Sequence, residues 1–562
     1  MTGARGGSGS AAGASPARAQ AASAGDRGDA GAREAGGHRG GARGTGAREA
    51  LLCGAGLACL LGTYPLCSTT VTPLQRFDAI SSWIGPCAIR MQAIAVVACA
   101  IVLIWRVLGL HRPGDIPLAL VGGGLFALGS ATFSAAAVYG MPGALAGGAG
   151  VWLVALLVGV GGVLFALSWG RVAAGMSRRA SLGAVGVGAV GQAGIGVLVS
   201  ALPGAPTVVA YAGFALCSLA LVLVATLALR ADPDGDASGA GEVAGAVNDV
   251  ARQSGHDPLE RLRSFLAVSG TAILGMVAYA FVTGTMRALV MGHYTVQVCS
   301  LALCGLVLVA ACLAWPRRRG SFLRVASRVA IPLLCLLVLS VGNIAAALGM
   351  APYSLVTPTY LLYTFAALLT LAMLAAMAHA REFDPDVIFA TLVATFCLTS
   401  FAGIALAEAL SDGQVLVLMT VVTTLYAIAT VLSALVGRGR ADDADAEVGA
   451  GAGDPARGSG AGAAPGGAPD TAGAGGAAGA DIATDWERDL ERRCALLADR
   501  YGLTARETEI MGLVARGHGS AYISETLYIS RNTVRTHVHN LYAKLGVSSR
   551  EQVMALVRGM TA

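Results

Sequence analysis

The chain has 562 residues, of which 55% are hydrophobic and only 13% are charged, and its mean hydropathy is +0.66. Soluble globular proteins carry about 25% charged residues, so this composition excludes an ordinary soluble protein. The net charge of +5 is small for this length, which excludes a general nucleic-acid condenser. The positive charge is nearly all arginine, since Lys544 is the only lysine.

Residues 1–47 are rich in Gly, Ala, Ser and Arg and have almost nothing to bury. We expect a disordered tail, or a start codon placed too early. A signal peptide is disfavoured, because the apolar run near Leu51 is followed by many more such runs.

Twelve apolar stretches follow, each long enough to cross a hydrocarbon core of roughly 30 Å. Barrel strands would be about ten residues long and alternate in polarity, so the pattern predicts membrane helices. The stretches lie near residues 50–70, 87–108, 116–139, 146–169, 181–201, 207–229, 264–286, 294–315, 330–350, 355–378, 388–409 and 414–436.

Loop charge predicts the orientation of these helices. The even-numbered turns hold fifteen arginines, including Arg178 and Arg328, whereas the odd-numbered turns hold only Arg76, Arg90 and Arg287. Cytoplasmic loops are enriched in Lys and Arg. We therefore expect a multi-pass protein of the cytoplasmic membrane, in contact with lipid, with both termini in the cytoplasm.

The twelve stretches divide six and six around a polar loop, which resembles the major facilitator layout. That family's usual signature after its second helix, a Gly and an Asp-Arg followed by basic residues, is missing from Trp105–Pro117. The predicted domains are a tail at 1–47, membrane halves at 48–230 and 263–437 (together the membrane domain), a central loop at 231–262, a flexible linker at 438–484, a linker helix at 485–501 and a C-terminal domain at 502–562, here called the reader.

The reader begins with a helix-capping pattern. Thr504 followed by Glu507 is a capping box, which predicts a helix to about Arg516. Gly517 ends this helix, and a short helix over 521–527 follows.

Ser530 is a typical N-cap for a third helix that runs to about Leu545. Its apolar positions recur at helical spacing, so the opposite face should be exposed. Ser548 with Glu551 predicts the start of a fourth helix. The apolar face comprises Val534, Val538, Leu541 and Leu545.

This spacing resembles the LuxR-type helix-turn-helix family over about 55 residues. Matching positions are Leu503, Thr504, Arg506, Glu507, Glu509, Gly517, Ile523, Leu527, Ser530, Thr533, Val534, His537, Lys544, Leu545, Gly546 and Val547. Tyr522 departs from the family, which usually has Glu there.

The resemblance implies that the third helix enters the major groove and the fourth pairs dimers. His537 lies beside the apolar face and is interpreted as a structural, hydrogen-bonded histidine. The implied contacts are Arg535, Thr536 and His539 with base edges, Asn532, Thr533 and Lys544 with phosphates, and Val553, Leu556 and Val557 with a second copy.

Polar side chains inside apolar stretches usually face a cavity or a partner. The candidate ligand-pocket residues are Arg90, Arg287, Asn343 and Glu408. The alternatives are snorkelling of the charged groups to water and an interhelical hydrogen bond from Asn343.

The sequence has no P-loop, no nucleophile elbow and no set of zinc ligands. Eleven of its twelve cysteines lie in apolar stretches, and none forms a C-x-x-C pair. We therefore expect neither enzymatic activity nor a metal or other cofactor.

The sequence predicts an all-α, bacterial, one-component transcription regulator. Its membrane domain would bind a small molecule, and its reader would bind double-stranded promoter DNA as a homodimer and could contact RNA polymerase. The alternatives are a transporter with an appended regulatory domain and a membrane tether with no ligand. A flexible linker transmits no torque, so a ligand would act through association of membrane domains, or by releasing a reader docked near Arg317 to Arg328.

Overall fold

The computed structural model describes residues 47–65, 73–77, 83–141, 148–231, 258–285, 294–315, 322–348, 356–380, 382–450 and 478–559. Every regular element within these ranges is helical, so the all-α prediction is confirmed for them. Residues 49–562 form one compact unit.

Twelve helices follow the predicted apolar stretches one for one. Ten of them are long and apolar enough to cross a membrane. The first and the ninth are shorter, so the count of twelve spans stays a prediction. The helices are α1 (residues 47–63), α2 (Ile84–Val107), α3 (Asp115–Tyr139), α4 (Gly148–Gly175), α5 (Arg178–Ala201), α6 (Gly204–Ala231), α7 (Pro258–Thr285), α8 (Tyr294–Ala314), α9 (Ile331–Ala347), α10 (Val356–His379), α11 (Pro385–Glu408) and α12 (Asp412–Ala450).

Two helix starts at one end of the bundle have side-chain caps. The Ser177 hydroxyl accepts a hydrogen bond from the Ala180 amide at 3.3 Å and caps α5. Asp384 accepts from the Asp386 amide at 2.8 Å, and proline follows it in the first turn of α11. Such caps satisfy amides that have no partner inside the helix, so both turns are well defined.

Glycines allow the helices of the membrane domain to approach closely. Gly186 on α5 faces Gly305 on α8, and a Cβ added to either would lie within 3 Å of the other's carbonyl oxygen. Small residues at such positions bring the backbones of membrane helices together. The first and second halves therefore meet here backbone to backbone.

The interior and the exterior of the membrane domain are both apolar. Phe126, Phe133 and Tyr211 are fully buried in the first half. Large apolar side chains also cover the outside, including Ile101 on α2 and Leu216 on α6. An apolar exterior on apolar helices suits a hydrocarbon solvent. The chain is a multi-pass membrane protein.

The segment after the last membrane helix differs from its prediction. The flexible linker was placed at 438–484, but α12 continues as a helix to Ala450, and α13 (Ala478–Tyr501) begins before the predicted Asp485. Residues 451–477 lie outside the described part. Leu490 and Leu497 on α13 are buried against the reader, as expected of a packing helix.

The reader contains four helices: α14 (Ala505–Ala515), α15 (Ser520–Leu527), α16 (Arg531–Leu545) and α17 (Arg550–Gly559). The predicted capping box at Thr504 and Glu507 is present. The fourth cap is shifted by one residue, because it is the Ser549 hydroxyl that accepts from the Gln552 amide, at 3.3 Å. Ser548 bonds to the Gln552 side chain instead.

Candidate nucleic-acid interface

The turn between α15 and α16 sets the direction of the third reader helix. Tyr528 adopts a left-handed conformation, with φ 56° and ψ 44°, and ends α15. Ser530 then caps α16 by accepting from the Thr533 amide at 3.1 Å. Val534 and Leu541 are fully buried beneath α16, so the predicted apolar face is confirmed.

The opposite face of α16 is exposed. Arg535, Thr536 and His539, the three candidate base-reading residues, lie together on this face with Asn540. The Thr536 hydroxyl donates to the Asn532 carbonyl at 3.1 Å. A helix with polar and cationic side chains on one exposed face has the geometry that major-groove recognition requires.

The three candidate phosphate contacts have different surroundings. Asn532 is exposed at the start of α16. The Thr533 hydroxyl lies 2.8 Å from the Ser530 hydroxyl and donates to Glu382 at 2.9 Å. Lys544 Nζ lies 2.7 Å from Glu507 Oε2 and 3.3 Å from the Gly502 carbonyl. Lys544 is therefore already paired inside the reader.

Glu507 joins the start of α14 to the end of α16. Its Oε2 also accepts from the Thr504 amide at 2.8 Å. Burial raises the pKa of Glu507, but the hydrogen bonds from Lys544 and Thr504 outweigh burial and hold the pKa below its usual value. The carboxylate stays ionised and ties two helices together.

Arg506 and Glu509 provide a second connection within the reader. Arg506 Nη1 lies 2.8 Å from Glu509 Oε2, and its Nη2 donates to the Leu527 carbonyl at 3.1 Å. The pair therefore links α14 to the end of α15. Both residues match the family in sequence, but the sequence alone predicts a role for neither.

His537 and Tyr522 contact other residues of the reader. His537 is buried, and burial together with Arg506 lowers the pKa of its imidazole. The neutral form is therefore favoured, in keeping with a structural role. Tyr522, the departure from the family, stacks on His518 with ring centroids 3.8 Å apart.

The residues predicted to pair dimers face inward. Val553 and Val557 are 0% and 1% exposed in the core of the reader, and Leu556 packs against the same core. Most of their apolar surface is covered within the chain, and their contact with a second copy stays a prediction. Glu551, Gln552, Ala555 and Arg558 are the exposed side chains of α17, and a dimer contact through this helix would include that face.

A cluster of ion pairs closes one end of the membrane domain. Arg171 on α4 binds both carboxylate oxygens of Asp386 on α11 at 2.7 Å, and binds Asp115 at 2.9 Å. Arg106 pairs with Asp384, and Arg112 lies 3.7 Å from Asp386, so three ion pairs connect the halves in the described residues. No local pattern in the sequence predicts this cluster, because Arg171 and Asp386 lie 215 residues apart.

The reader contacts this same end of the membrane domain. Arg178 at the start of α5 pairs with Glu509 and donates to the Thr526 carbonyl at 2.7 Å. Arg328, between α8 and α9, pairs with Glu525 at 2.5 Å. Docking near Arg328 was expected, whereas Arg317 lies outside the described residues.

An acidic residue also takes part in this contact. Glu382, between α10 and α11, accepts from the Ser530 amide at 2.5 Å and from the Thr533 hydroxyl. Tyr528 is buried and belongs to the larger apolar cluster of the membrane domain, to which both halves contribute. Glu382 is not among the predicted site residues, since it lies 148 residues from Ser530 and no local pattern marks it.

The candidate ligand-pocket residues are only partly described. Arg90 lies 5.0 Å from the centroid of the Trp152 ring, and Glu408 is exposed at the end of α11. Arg287 and the side chain of Asn343 lie outside the described residues. Gln92, beside Arg90, donates to the Ser400 hydroxyl at 3.2 Å between α2 and α11.

Residues 502–557 match the family described as "Bacterial regulatory proteins, luxR family". The reader is a LuxR-type helix-turn-helix domain. It is 50% identical over 54 residues to the "Probable transcriptional regulatory protein SgaR" of Hyphomicrobium methylovorum, covering 10% of this chain and 26% of that protein. It is 38% identical over 52 residues to the "HTH-type transcriptional regulator MalT" of Yersinia pestis, strain Pestoides F, covering 9% of this chain and 6% of that one. The chain thus spans about a quarter of the first of these relatives and 6% of the second.

The membrane domain is similar to transporters of the major facilitator superfamily. The chain is 15% identical to the proton:xylose symporter XylE, with a TM-score of 0.44, over 69% of this chain and 94% of that one. It is 17% identical to the human organic anion transporter MFSD10, also with a TM-score of 0.44, over 68% and 98% of the two chains.

Proposed function

We propose that this protein is a one-component transcription regulator that binds promoter DNA from within the cytoplasmic membrane. The observation that carries the proposal is the exposed face of α16, with Arg535, Thr536 and His539, in a LuxR-type reader on a multi-pass membrane chain. The reader must then face the cytoplasm. No catalytic step, metal or other cofactor is part of the proposal.

The reader contacts support the proposed orientation. Arg178, Arg328 and Glu382 lie in turns that the arginine distribution assigns to the cytoplasm, and all three contact the reader. A reporter fused to the C-terminus should therefore be cytoplasmic, and one inserted at Gly143 should be external. External labelling of the C-terminal fusion would contradict both the orientation and DNA binding.

DNA binding can be tested with the full chain in lipid nanodiscs. Fragmented genomic DNA from the source organism is passed over the immobilised protein, and the retained fragments are sequenced and footprinted. We expect enrichment of promoter sequences that share a motif. Arg535→Ala should reduce this enrichment. Retention without any preferred sequence would contradict a promoter-specific regulator.

We further propose that the membrane domain binds a small molecule and that the reader acts as a dimer on DNA. Two of the ion pairs, Arg106 with Asp384 and Arg171 with Asp386, hold the two halves in one arrangement. A small molecule that binds between the halves would act on this arrangement. Footprints with two half-sites one helical turn apart would support a dimer. RNA polymerase is a further proposed partner.

The alternative is a transporter whose reader provides feedback control. The similarity of the membrane domain to transporters motivates this alternative. A compound that shifts DNA affinity can be tested by counterflow in proteoliposomes. A sensor binds the compound without accumulating it, whereas counterflow would favour the transporter.

A further inference from the structure

The carboxylate of Glu382 sits at the N-terminus of α16. Its Oε2 accepts from the Ser530 amide at 2.5 Å, and its Oε1 accepts from the Thr533 hydroxyl at 2.9 Å. A helix N-terminus has free amides and a partial positive charge, and it binds phosphate oxygens for that reason. Glu382 therefore uses donors that would also suit a DNA phosphate.

These donors belong to the proposed DNA-binding surface. Thr533 is a proposed phosphate contact, and Asn532, another, precedes it by one residue. A phosphate group cannot occupy this position while the Glu382 carboxylate is there. Contact with Glu382 and contact with the DNA backbone at this end of α16 thus exclude each other.

Three further contacts hold the reader in this position: two ion pairs and one apolar contact. Arg178 and Arg328 of the membrane domain pair with Glu509 and Glu525 of the reader. Tyr528, in the turn before α16, is buried and belongs to the larger apolar cluster of the membrane domain, to which both halves contribute. Basic groups of the membrane domain thus meet acidic groups of the reader, and the acidic Glu382 meets the positive end of α16.

We propose that this end of the membrane domain is a docking surface for the reader that competes with DNA, and that Glu382 takes the place of a backbone phosphate. The inference rests on the proposed function. When only a fraction of the readers is undocked, the apparent affinity for DNA falls by that fraction. Weakening the docked state must therefore tighten DNA binding.

The test uses the full chain in nanodiscs and a labelled duplex taken from the retained genomic fragments. Glu382→Ala should tighten binding about tenfold in an anisotropy titration, since it removes the carboxylate from the end of α16. Asp499→Ala is the matched control, because it also removes one negative charge, from an exposed position near the end of α13. It should change affinity less than about twofold.

A second variant separates docking from simple attraction of DNA by charge. Arg328→Ala removes a positive charge, which would weaken binding if Arg328 attracted DNA. If Arg328 holds the reader in place, the same variant tightens binding. Hydrogen exchange gives an independent readout, because the amide of Ser530 should exchange faster once Glu382 is replaced.

The outcomes separate this inference from the proposed function. If the wild type binds the duplex, and Glu382→Ala binds no more tightly than Asp499→Ala, the docking inference is wrong and the proposed function stands. If Arg328→Ala weakens DNA binding, as the loss of a DNA-attracting positive charge would, the docking inference is again contradicted. If neither the wild type nor Glu382→Ala retains any genomic fragment while reader amides stay protected, the proposed function itself fails.

Discussion

Replacement of Lys544 by methionine tests whether the lysine stabilises the reader or contacts DNA. Its Nζ lies 2.7 Å from Oε2 of Glu507, whose side chain is 5% exposed, whereas the lysine side chain is 37% exposed. Hydrogen bonds to charged groups contribute about 1.5–3 kcal/mol. Because the lysine is partly solvated and Glu507 keeps the Thr504 amide, we expect Lys544→Met to lower the opening free energy of the reader by about 1–2 kcal/mol.

The assay is native-state hydrogen exchange of the α14 and α16 amides in the full chain, which reports opening free energies segment by segment. Glu507→Gln and the double variant complete a cycle that isolates the interaction between the pair. A coupling below about 0.3 kcal/mol would refute the stabilising role, since distant sites are additive to about that level.

The salt dependence of DNA binding tests the other role of Lys544. Removing one phosphate contact makes the slope of log K for DNA binding against log salt concentration shallower by about one. We expect this reduction with Lys544→Met in the Glu507→Gln background, where the lysine has lost its charged partner. An unchanged slope there would make Lys544 a structural residue only.

Three further predictions concern base recognition, pH and the ion-pair cluster. Arg535→Ala should cost about 1–3 kcal/mol in DNA binding and relax the preference at one base pair. Arg492→Ala, an equal loss of charge at an exposed position on α13, should leave the preference intact; base-by-base competition titrations measure both. Burial and Arg506 hold the pKa of His537 below its ordinary value of about 6.5, so its contribution to stability is complete above that pH and is lost as the pH falls. Hydrogen exchange at pH 7.5 and 5.5 should show this loss, and His537→Asn should flatten it; an unchanged slope would contradict the assignment. Arg171→Met leaves Asp386, 3% exposed, without its main partner and should destabilise this end of α11 by about 3–5 kcal/mol; adding Asp386→Asn should restore most of the protection, and a failure to do so would indicate a packing role.

Local patterns predicted most of the reader correctly. The capping box at Thr504 and the cap at Ser530 depend on residues three apart, and the apolar face of α16 depends on helical spacing alone. The fourth cap was wrong by one residue, because Ser548 and Ser549 both fit the pattern. The backbone conformation after Gly546 determines which of the two serines caps the fourth helix.

Features that depend on distant residues were not predictable. Glu382 lies about 150 residues from Ser530, and no local pattern marks a loop carboxylate as the partner of a helix N-terminus. Apolar spacing in α17 also cannot distinguish a core position from a dimer contact; Val553 and Val557 lie in the core of the reader, and their part in a dimer stays a prediction. The extension of α12 to Ala450 was missed because an Ala- and Asp-rich stretch has no apolar periodicity, although alanine favours helix.

The docked reader spans both halves of the membrane domain. Arg178 belongs to the first half, whereas Arg328 and Glu382 belong to the second, and between the halves Gly186 and Gly305 meet backbone to backbone. A rotation of the halves about that glycine contact would pull the two sets of reader contacts apart. Thermodynamic linkage then acts in both directions. A compound that prefers the rotated arrangement favours release of the reader, and operator DNA that captures the reader must raise the affinity of the membrane domain for that compound by the same factor.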